Sequence, residues 1–573
     1  MADDVFVSSD SDRHARPLRD VHTITLAAPL ALERGGSLPQ VAVAYETYGR
    51  LSPAGDNAVL ICHALTGDSH VAAHDAADDP GWWDIVVGPG KPIDTDRYFV
   101  ICPNILGGCR GTTGPNSIDP ATGKPYGRDF PLITVGDMVR VQRALIDRLG
   151  VTQLLAVVGG SLGGHQVLDW SVRFPDLVRG CVAMATSPRL TSQALAYDII
   201  GRNAILRDPH YHAGQYYARP DGPAVGLAIA RMLGHLTYLS REAMTQRFDA
   251  DRLAPRDTRS QFETRFSVGS YLAHQGDKFV ERFDANSYLT LSMAMDLFDL
   301  GASPADLAAT LGAAQCHWLV VSIASDLLFP PFQSQQIVHA LLDTGQPVSY
   351  CNIPSLSGHD AFLLAEDLPQ FGPLISAFLD RLSGGSHMPH APAADDDTLD
   401  PTSIFHSRRL DYDLILELIP PDASVLDLGC GVGGLLQKLQ ARGQTRLTGV
   451  ELDVAAIQIC ARRGLDVVHA DLNQGLGLFG SNQYDCVVLS QTLQAVGNVE
   501  QVIDDMLRVG RQGIVSFPNF AYHKFRRLLA EDGRAPRATP MLGHAWYNTP
   551  NIRFLSIADF EDFCRTKALT IHR

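Results

Sequence analysis

Two α/β domains in series are what this sequence predicts, and three observations predict them. Residues 154–170, LLAVVGGSLGGHQVLDW, run from an apolar strand through a glycine-rich turn into helical spacing. Residues 425–434, VLDLGCGVGG, repeat that strand, glycine turn and helix much further along. Between them, residues 384–401, GGSHMPHAPAADDDTLDP, have the Gly/Pro/Ala/Asp composition of a linker. At 573 residues the chain is too long for one core, and 45% hydrophobic with 19% charged residues suits globular domains. A net charge of −16 with no Lys/Arg block argues against nucleic acid or an anionic membrane as partner. No apolar run reaches the roughly 18 residues of a membrane span, and the first twenty residues carry no leader pattern, so a cytoplasmic location is expected. The ten cysteines are scattered, with no C-x-x-C pair, as reduced buried thiols would be; no metal site is expected.

Residues 1–20 are polar and read as a disordered N-terminus. Short Val-, Ala- and Tyr-rich segments from Ile24 to Tyr48 predict antiparallel strands opening a mixed sheet. Ala58 to Cys62 is a strand, followed by His63-Ala64-Leu65-Thr66-Gly67; His63 reads as a structural loop residue. Tyr98 to Cys102 is the next strand. The glycine-rich stretch 104–131 after it is too long for a plain turn and reads as functional. Thr134 to Leu149 is an amphipathic helix capped by Thr134, and Cys181 to Ala185 a further strand. Residues 187–311 are helical in pattern and read as a cap over the sheet; within them LSMAMDLFDL has the spacing of core. Strands return at His317 to Ile323 and Val348 to Ile353.

Gly159-Gly160-Ser161-Leu162-Gly163 is a G-x-S-x-G nucleophile elbow. The glycines are needed because the strand turns so sharply into the helix that side chains there would strike backbone. Ser161 is the candidate nucleophile. Leu162, at the new helix N-terminus, offers one oxyanion N–H, and the loop after Ala58 to Cys62 offers the second near Leu65 and Thr66. Asp326 ends the strand HWLVVSIASD, and His359 follows the last strand in PSLSGHD. Nucleophile, acid and histidine thus fall in α/β-hydrolase order, each after a strand, with Asp326 orienting His359 and His359 taking the Ser161 proton. An esterase or thioesterase would use the same three residues.

The second domain, 402–573, opens with a helical segment and then Val425 to Gly434. A strand running into Gly429-Cys430-Gly431-Val432-Gly433 and a helix is a nucleotide-binding turn of Rossmann-like class I methyltransferase type. Asp427, Gly429 and Gly431 lie on it. Glu451 ends the next strand, where a carboxylate can take ribose hydroxyls, and Asp471 ends the one after. This set points to S-adenosylmethionine rather than NAD.

On AVLICHALTGDSH, the 104–131 loop, VVGGSLGGHQVLDW, ARMLGHLTYLS and SGHDAFL, residues 21–383 resemble the homoserine O-acyltransferases of MetX type. The resemblance implies an α/β-hydrolase fold with a helical cap, in which Ser161, Asp326 and His359 form the triad. It implies that Arg231 and Asp360 hold L-homoserine: the zwitterion's carboxylate suits a guanidinium and its ammonium a carboxylate. Succinyl-using relatives are expected to carry an arginine two residues past the triad aspartate. Here that residue is Leu328, so acetyl-CoA is the expected donor, with no cofactor required and O-succinyl transfer as the alternative. Residues 402–573 resemble MetW, on VLDLGCGVGG, HADLN, YDCVVLSQTLQAV, GIVSFPNF and WYNTPNIRFLSIADFEDFC. That domain is expected to be a partner or activator touching the transferase, and to lack the last strands of a methyltransferase sheet. A homodimer is what the resemblance suggests.

Overall fold

The computed structural model describes residues 18–249, 266–384, 410–533 and 551–572. The chain divides near residue 384 into two compact units. The proposed linker beyond Gly384, with His387 and His390, and the first seventeen residues lie outside the described residues.

The first unit is built on a mixed sheet of β1 (His22–Thr25), β2 (Ala42–Tyr48), β3 (Ala58–Cys62), β4 (Phe99–Pro103), β5 (Leu154–Gly160), β6 (Gly180–Met184), β7 (His317–Ile323) and β8 (Val348–Ile353), in spatial order β1-β2-β4-β3-β5-β6-β7-β8. β1 pairs antiparallel to β2, with His22 opposite Tyr45, and β2 antiparallel to β4, whereas β3, β5, β6 and β7 pair in parallel. Every residue of β3, β5 and β6 is buried. Strands covered on both faces lose the apolar/polar alternation and appear as continuous apolar runs, as AVLIC and LLAVVGG do.

Among the described residues the first unit has ten α-helices: α1 (Val135–Arg148), α2 (Leu162–Arg173), α3 (Ser192–Leu206), α4 (Ala224–Tyr238), α5 (Arg241–Phe248), α6 (Ser267–Arg282), α7 (Ala285–Asp296), α8 (Pro304–Leu311), α9 (Pro331–Asp343) and α10 (Leu368–Leu382). Thr134 caps α1 in a reciprocal box with Asp137, as its sequence predicts. Helices α3 to α8 make the predicted cap between β6 and β7. Two of them approach closely: a Cβ at Gly226 of α4 would stand 2.5 Å from the Ala204 carbonyl oxygen of α3. The run LSMAMDLFDL is core as expected, with Leu291, Ala294, Met295 and Phe298 buried, although Met295 also lines a cavity discussed below.

The 104–131 stretch departs from the sequence reading. It stitches the sheet: Thr112 Oγ1 donates to the Asn104 carbonyl at 2.7 Å, and the Thr112 and Thr113 hydroxyls accept the Ala44 and Ala42 N–H groups at 2.9 and 2.8 Å. Its threonines answer backbone donors of the sheet, and the residues lining the two cavities at Ser161 come from elsewhere.

The second unit carries β9 (Val425–Leu428), β10 (Leu447–Glu451), β11 (Val467–His469), β12 (Tyr484–Ser490) and β13 (Gly510–Ser516), all parallel, in the order β11-β10-β9-β12-β13. The order reverses beside β9, so the crevice of a doubly wound sheet opens at the carboxyl end of the strand carrying Asp427. Tyr412, Ile415 and Ile419, from the opening helix and its end, pack with Val425, Leu435, Leu439 and Val488 in its core. Among the described residues no helix is long and apolar enough to cross a membrane.

Candidate active site

Ser161 stands between β5 and α2 with φ 58° and ψ −128°, a backbone conformation that an L-residue adopts only under constraint. The constraint is visible. Ser161 N–H donates to the Met184 carbonyl at 3.0 Å, while its own carbonyl accepts Thr186 Oγ1 at 2.9 Å and the Gly164 N–H at 2.9 Å. A Cβ at Gly163 would lie 2.0 Å from the Cys62 carbonyl oxygen, and one at Gly159 2.6 Å from the Gly163 carbonyl group. Both glycines are therefore fixed by the close passage of β3, β5 and α2, as the motif predicts.

His359 follows Gly358, whose φ of 79° and a would-be Cβ 2.4 Å from the Tyr238 carbonyl oxygen admit no side chain. Its Nδ1 donates to Asp326 Oδ2 at 2.8 Å; both residues are buried. Asp326 Oδ1 accepts the Leu328 and Phe329 N–H groups at 2.8 and 2.9 Å, so every part of that carboxylate has a partner and its plane is fixed. Burial opposes a charge on His359, but the charge and hydrogen bond of Asp326, helped by Asp360, outweigh it and hold the imidazole pKa above its ordinary value.

Ser161 and His359 open on one cavity of about 350 Å³, with Leu65, Thr66, Arg231 and Asp360 also on its wall. The residues picked out from sequence for nucleophile, base, oxyanion loop and zwitterion thus converge. Leu162 is the first residue of α2, immediately after the nucleophile. The Arg231 guanidinium lies over the rings of Phe279 and Tyr238, at 4.9 and 5.5 Å, so its plane is held by stacking. Burial raises the Asp360 pKa, against the pull of His359 and Arg231.

Several lining groups escaped the sequence reading. Arg247 and Arg282 join Arg231 on the cavity, and Arg282 donates to the Thr66 carbonyl at 3.2 Å, pinning the oxyanion loop. His235 is driven down to about 2 by burial and by those three arginines, and its Nδ1 accepts the Tyr271 hydroxyl at 3.2 Å. Single cap residues of this kind carry no motif; only the helix packing aims them. His63 has the structural role expected: Nδ1 donates to the Ala64 carbonyl at 2.8 Å, Nε2 accepts the Ile105 N–H at 3.1 Å, and burial lowers its pKa.

Glu46, His70 and His74 form a second buried group that spacing alone did not reveal. Glu46 Oε2 accepts His70 Nδ1 at 2.9 Å, His74 Nε2 at 3.0 Å and the Tyr48 hydroxyl at 3.0 Å, and Oε1 accepts Ser69 Oγ at 2.9 Å. His70 Nε2 faces the Asp79 carbonyl at 2.8 Å. With acceptors on both ring nitrogens, His70 is an imidazolium. Its pKa is pushed up to about 9, Glu46's hydrogen bond and charge outweighing burial, and Glu46 is held at about 2, its histidine partners outweighing burial.

In the second unit, Gly429, Gly431 and Gly433 turn through positive φ of 68°, 54° and 81° after β9. Glu451 Oε2 accepts the Gly431 N–H at 2.8 Å, and Oε1 accepts the Leu452 and Asp453 N–H groups. Its oxygens retain lone pairs for hydroxyl donors, so the loop and Glu451 fit a ribose. Asp427 is buried at the end of β9. Asp471 caps its own turn, accepting the Asn473 N–H at 2.9 Å.

Residues 57–366 match the family model described as alpha/beta hydrolase fold, and residues 409–573 the model for methionine biosynthesis protein MetW. The chain is 54% identical to a bifunctional methionine biosynthesis protein MetXA/MetW of Rhodopirellula baltica, over 97% of this chain and 88% of that one. A homoserine O-acetyltransferase of Solidesulfovibrio magneticus is 52% identical over 62% of this chain and 90% of its own length. A homoserine O-succinyltransferase of Halothiobacillus neapolitanus is 49% identical over 64% and 90%. Among solved structures, homoserine O-acetyltransferase from Bacillus anthracis superposes with a TM-score of 0.57 at 29% identity, over 63% of this chain and 98% of that one. An acetylester hydrolase from Corynebacterium glutamicum superposes with 0.53 at 26%, over 63% and 96%.

Proposed function

As a member of the bifunctional MetXA/MetW family of methionine biosynthesis proteins, this chain is a homoserine O-acyltransferase, and we propose that the group it transfers is acetyl, from acetyl-CoA to the hydroxyl of L-homoserine. The observation that carries this reading is the cavity that joins Ser161 and His359 to Arg231 and Asp360, since an esterase needs no paired cation and anion beside its triad. Asp326 keeps the His359 proton on Nδ1, leaving Nε2 to take the Ser161 proton. Ser161 Oγ attacks the thioester carbon, the C–S bond breaks, and CoA leaves with the proton that His359 returns. The acyl oxygen is stabilised by the Leu65 and Leu162 N–H groups. Homoserine then binds with its carboxylate on Arg231 and its ammonium on Asp360. His359 removes the hydroxyl proton, the new ester forms, the bond to Ser161 breaks, and His359 reprotonates Oγ. Leu328 beside Ser161 offers a succinyl carboxylate no cation, which favours the acetyl donor.

The second domain acts on this reading as a partner and activator of the transferase, within a homodimeric cytoplasmic enzyme. Asp427, Gly429, Gly431, Glu451 and Asp471 would hold S-adenosylmethionine, whose activated methyl group is the chemistry it supplies. The role of Glu451 there is to accept the ribose hydroxyls. Intact-mass analysis after mixing with acetyl-CoA alone tests the two-step route. One acetyl group should appear on the protein, disappear on adding homoserine, and be absent from Ser161→Ala; no adduct in the wild type would contradict it.

A further inference from the structure

A second, narrow cavity opens beside Ser161 without Arg231 or Asp360 on its wall, which includes Leu65, Leu328, Met295, Tyr288 and Asp198. It has an apolar wall at the nucleophile, as a small acyl chain requires. No arginine or lysine lines it; the carboxyl group on it is Asp198 of α3. That side chain is buried, and neither its Oδ2 nor Oδ1 of Asp296 on α7 meets a donor from a third residue. Burial and a hydrogen bond with Asp296 push the Asp198 pKa up to about 8, so the two carboxyls share a proton. Asp296 is in turn ion-paired with Arg202, whose Nη1 donates to Ser292 Oγ at 3.2 Å. With its proton committed to Asp296, Asp198 presents only acceptor oxygen to the acyl chain.

We propose that Asp198, backed by Asp296, is the residue that selects the acyl donor, admitting uncharged short acyl groups and rejecting those that end in a carboxylate. The proposal rests on the acetyltransferase reading and gives its donor choice a second determinant besides Leu328. A succinyl carboxylate in this cavity would sit against a third acceptor with neither a cation nor a donor to meet it, a desolvation with no compensation. Acetyl brings no charge and meets no such cost. Besides Asp296 and Arg202, Asp198 faces the hydroxyl-bearing rings of Tyr238 on α4 and Tyr288 on α7, and Tyr197 adjoins it on α3. Burial holds Tyr238 and Tyr288 protonated. Asp198 is therefore the group whose charge rises near pH 8.

The test is kcat/KM of the full chain for acetyl-CoA, succinyl-CoA and butyryl-CoA, the last matching succinyl in length without its charge. At pH 9, where Asp198 is ionised and asparagine is not, Asp198→Asn should raise the succinyl value about tenfold or more, while acetyl and butyryl stay within about threefold. Parallel changes for all three, or no change in the succinyl value, would overturn the proposal. In the wild type, which needs no folded variant, the acetyl-to-succinyl ratio should climb between pH 7 and 9 as Asp198 ionises, and a flat ratio would overturn it equally. A wild type that prefers succinyl-CoA at every pH would instead overturn the acetyl donor reading itself.

Discussion

Asp326→Asn separates an orienting role for this carboxylate from a merely packing one. Asp326 serves two sets of donors: Oδ1 takes the Leu328 and Phe329 N–H groups, and Oδ2 takes His359 Nδ1–H. Asparagine has one acceptor oxygen. If that oxygen serves the two backbone donors, the amide NH2 faces Nδ1 and forces the imidazole proton onto Nε2, where the base can no longer receive the Ser161 proton. The reverse orientation sets NH2 against two N–H groups and costs more. The wrong tautomer is worth about 10⁴ in kcat in a triad, or about 5 kcal/mol of activation free energy. The variant should fold, being isosteric, and its thermal midpoint should change little. In the wild type, activity rises with pH as His359 loses its proton, at a pKa above the ordinary histidine value because of Asp326. Without that charge, burial dominates, and the acidic limb of the residual activity moves to lower pH. Stopped-flow CoA release across pH reads both effects. A loss of less than about tenfold, or a limb that does not move, would refute the reasoning.

Three further outcomes follow from the geometry. Leu328→Arg should move donor preference toward succinyl-CoA, and combining it with Asp198→Asn should move it further than the two changes multiplied, since the new guanidinium otherwise pairs with Asp198; an unchanged kcat/KM ratio in both would contradict this. Gly163→Ala puts a Cβ 2.0 Å from the Cys62 carbonyl oxygen, and should abolish activity and lower the thermal midpoint by several degrees; a fully active, stable variant would show that the elbow is looser than described. His70, raised to about 9 by Glu46, stabilises the fold fully below the unfolded histidine pKa and loses that contribution as pH rises through 9. Thermal melts should therefore show stability falling from pH 6.5 to 9.5, with the fall reduced in His70→Gln; identical slopes would remove the imidazolium from the account.

The parts of this protein that were legible in the sequence are those where backbone geometry dictates residue type. Gly159, Gly163 and Gly358 are fixed by carbonyl groups within 3 Å of where a side chain would begin, so the elbow and the histidine loop announce themselves. Asp326 and His359 are legible because each follows a strand in hydrolase order, the one before Asp326 being a continuous apolar run buried on both faces. Arg247, Arg282, His235 and Asp198 were not legible. Each is a single polar residue on a cap helix, and the face it presents depends on how α3, α4, α5 and α6 pack. The 104–131 loop misled for a different reason. Glycine and threonine density marks both ligand loops and segments that answer unpaired sheet edges, and here Thr112 and Thr113 do the second. Glu46, His70 and His74 join a strand to a loop more than twenty residues away, a pairing that composition does not encode.

Acetyl transfer to homoserine by this chain is tested most directly by CoA release from acetyl-CoA and from succinyl-CoA, each with and without L-homoserine, with mass identification of the amino-acid product. The account predicts release from acetyl-CoA that depends on homoserine beyond a first turnover, with O-acetylhomoserine formed and little from succinyl-CoA. Sustained release at the same rate without homoserine would contradict it and make water the acceptor.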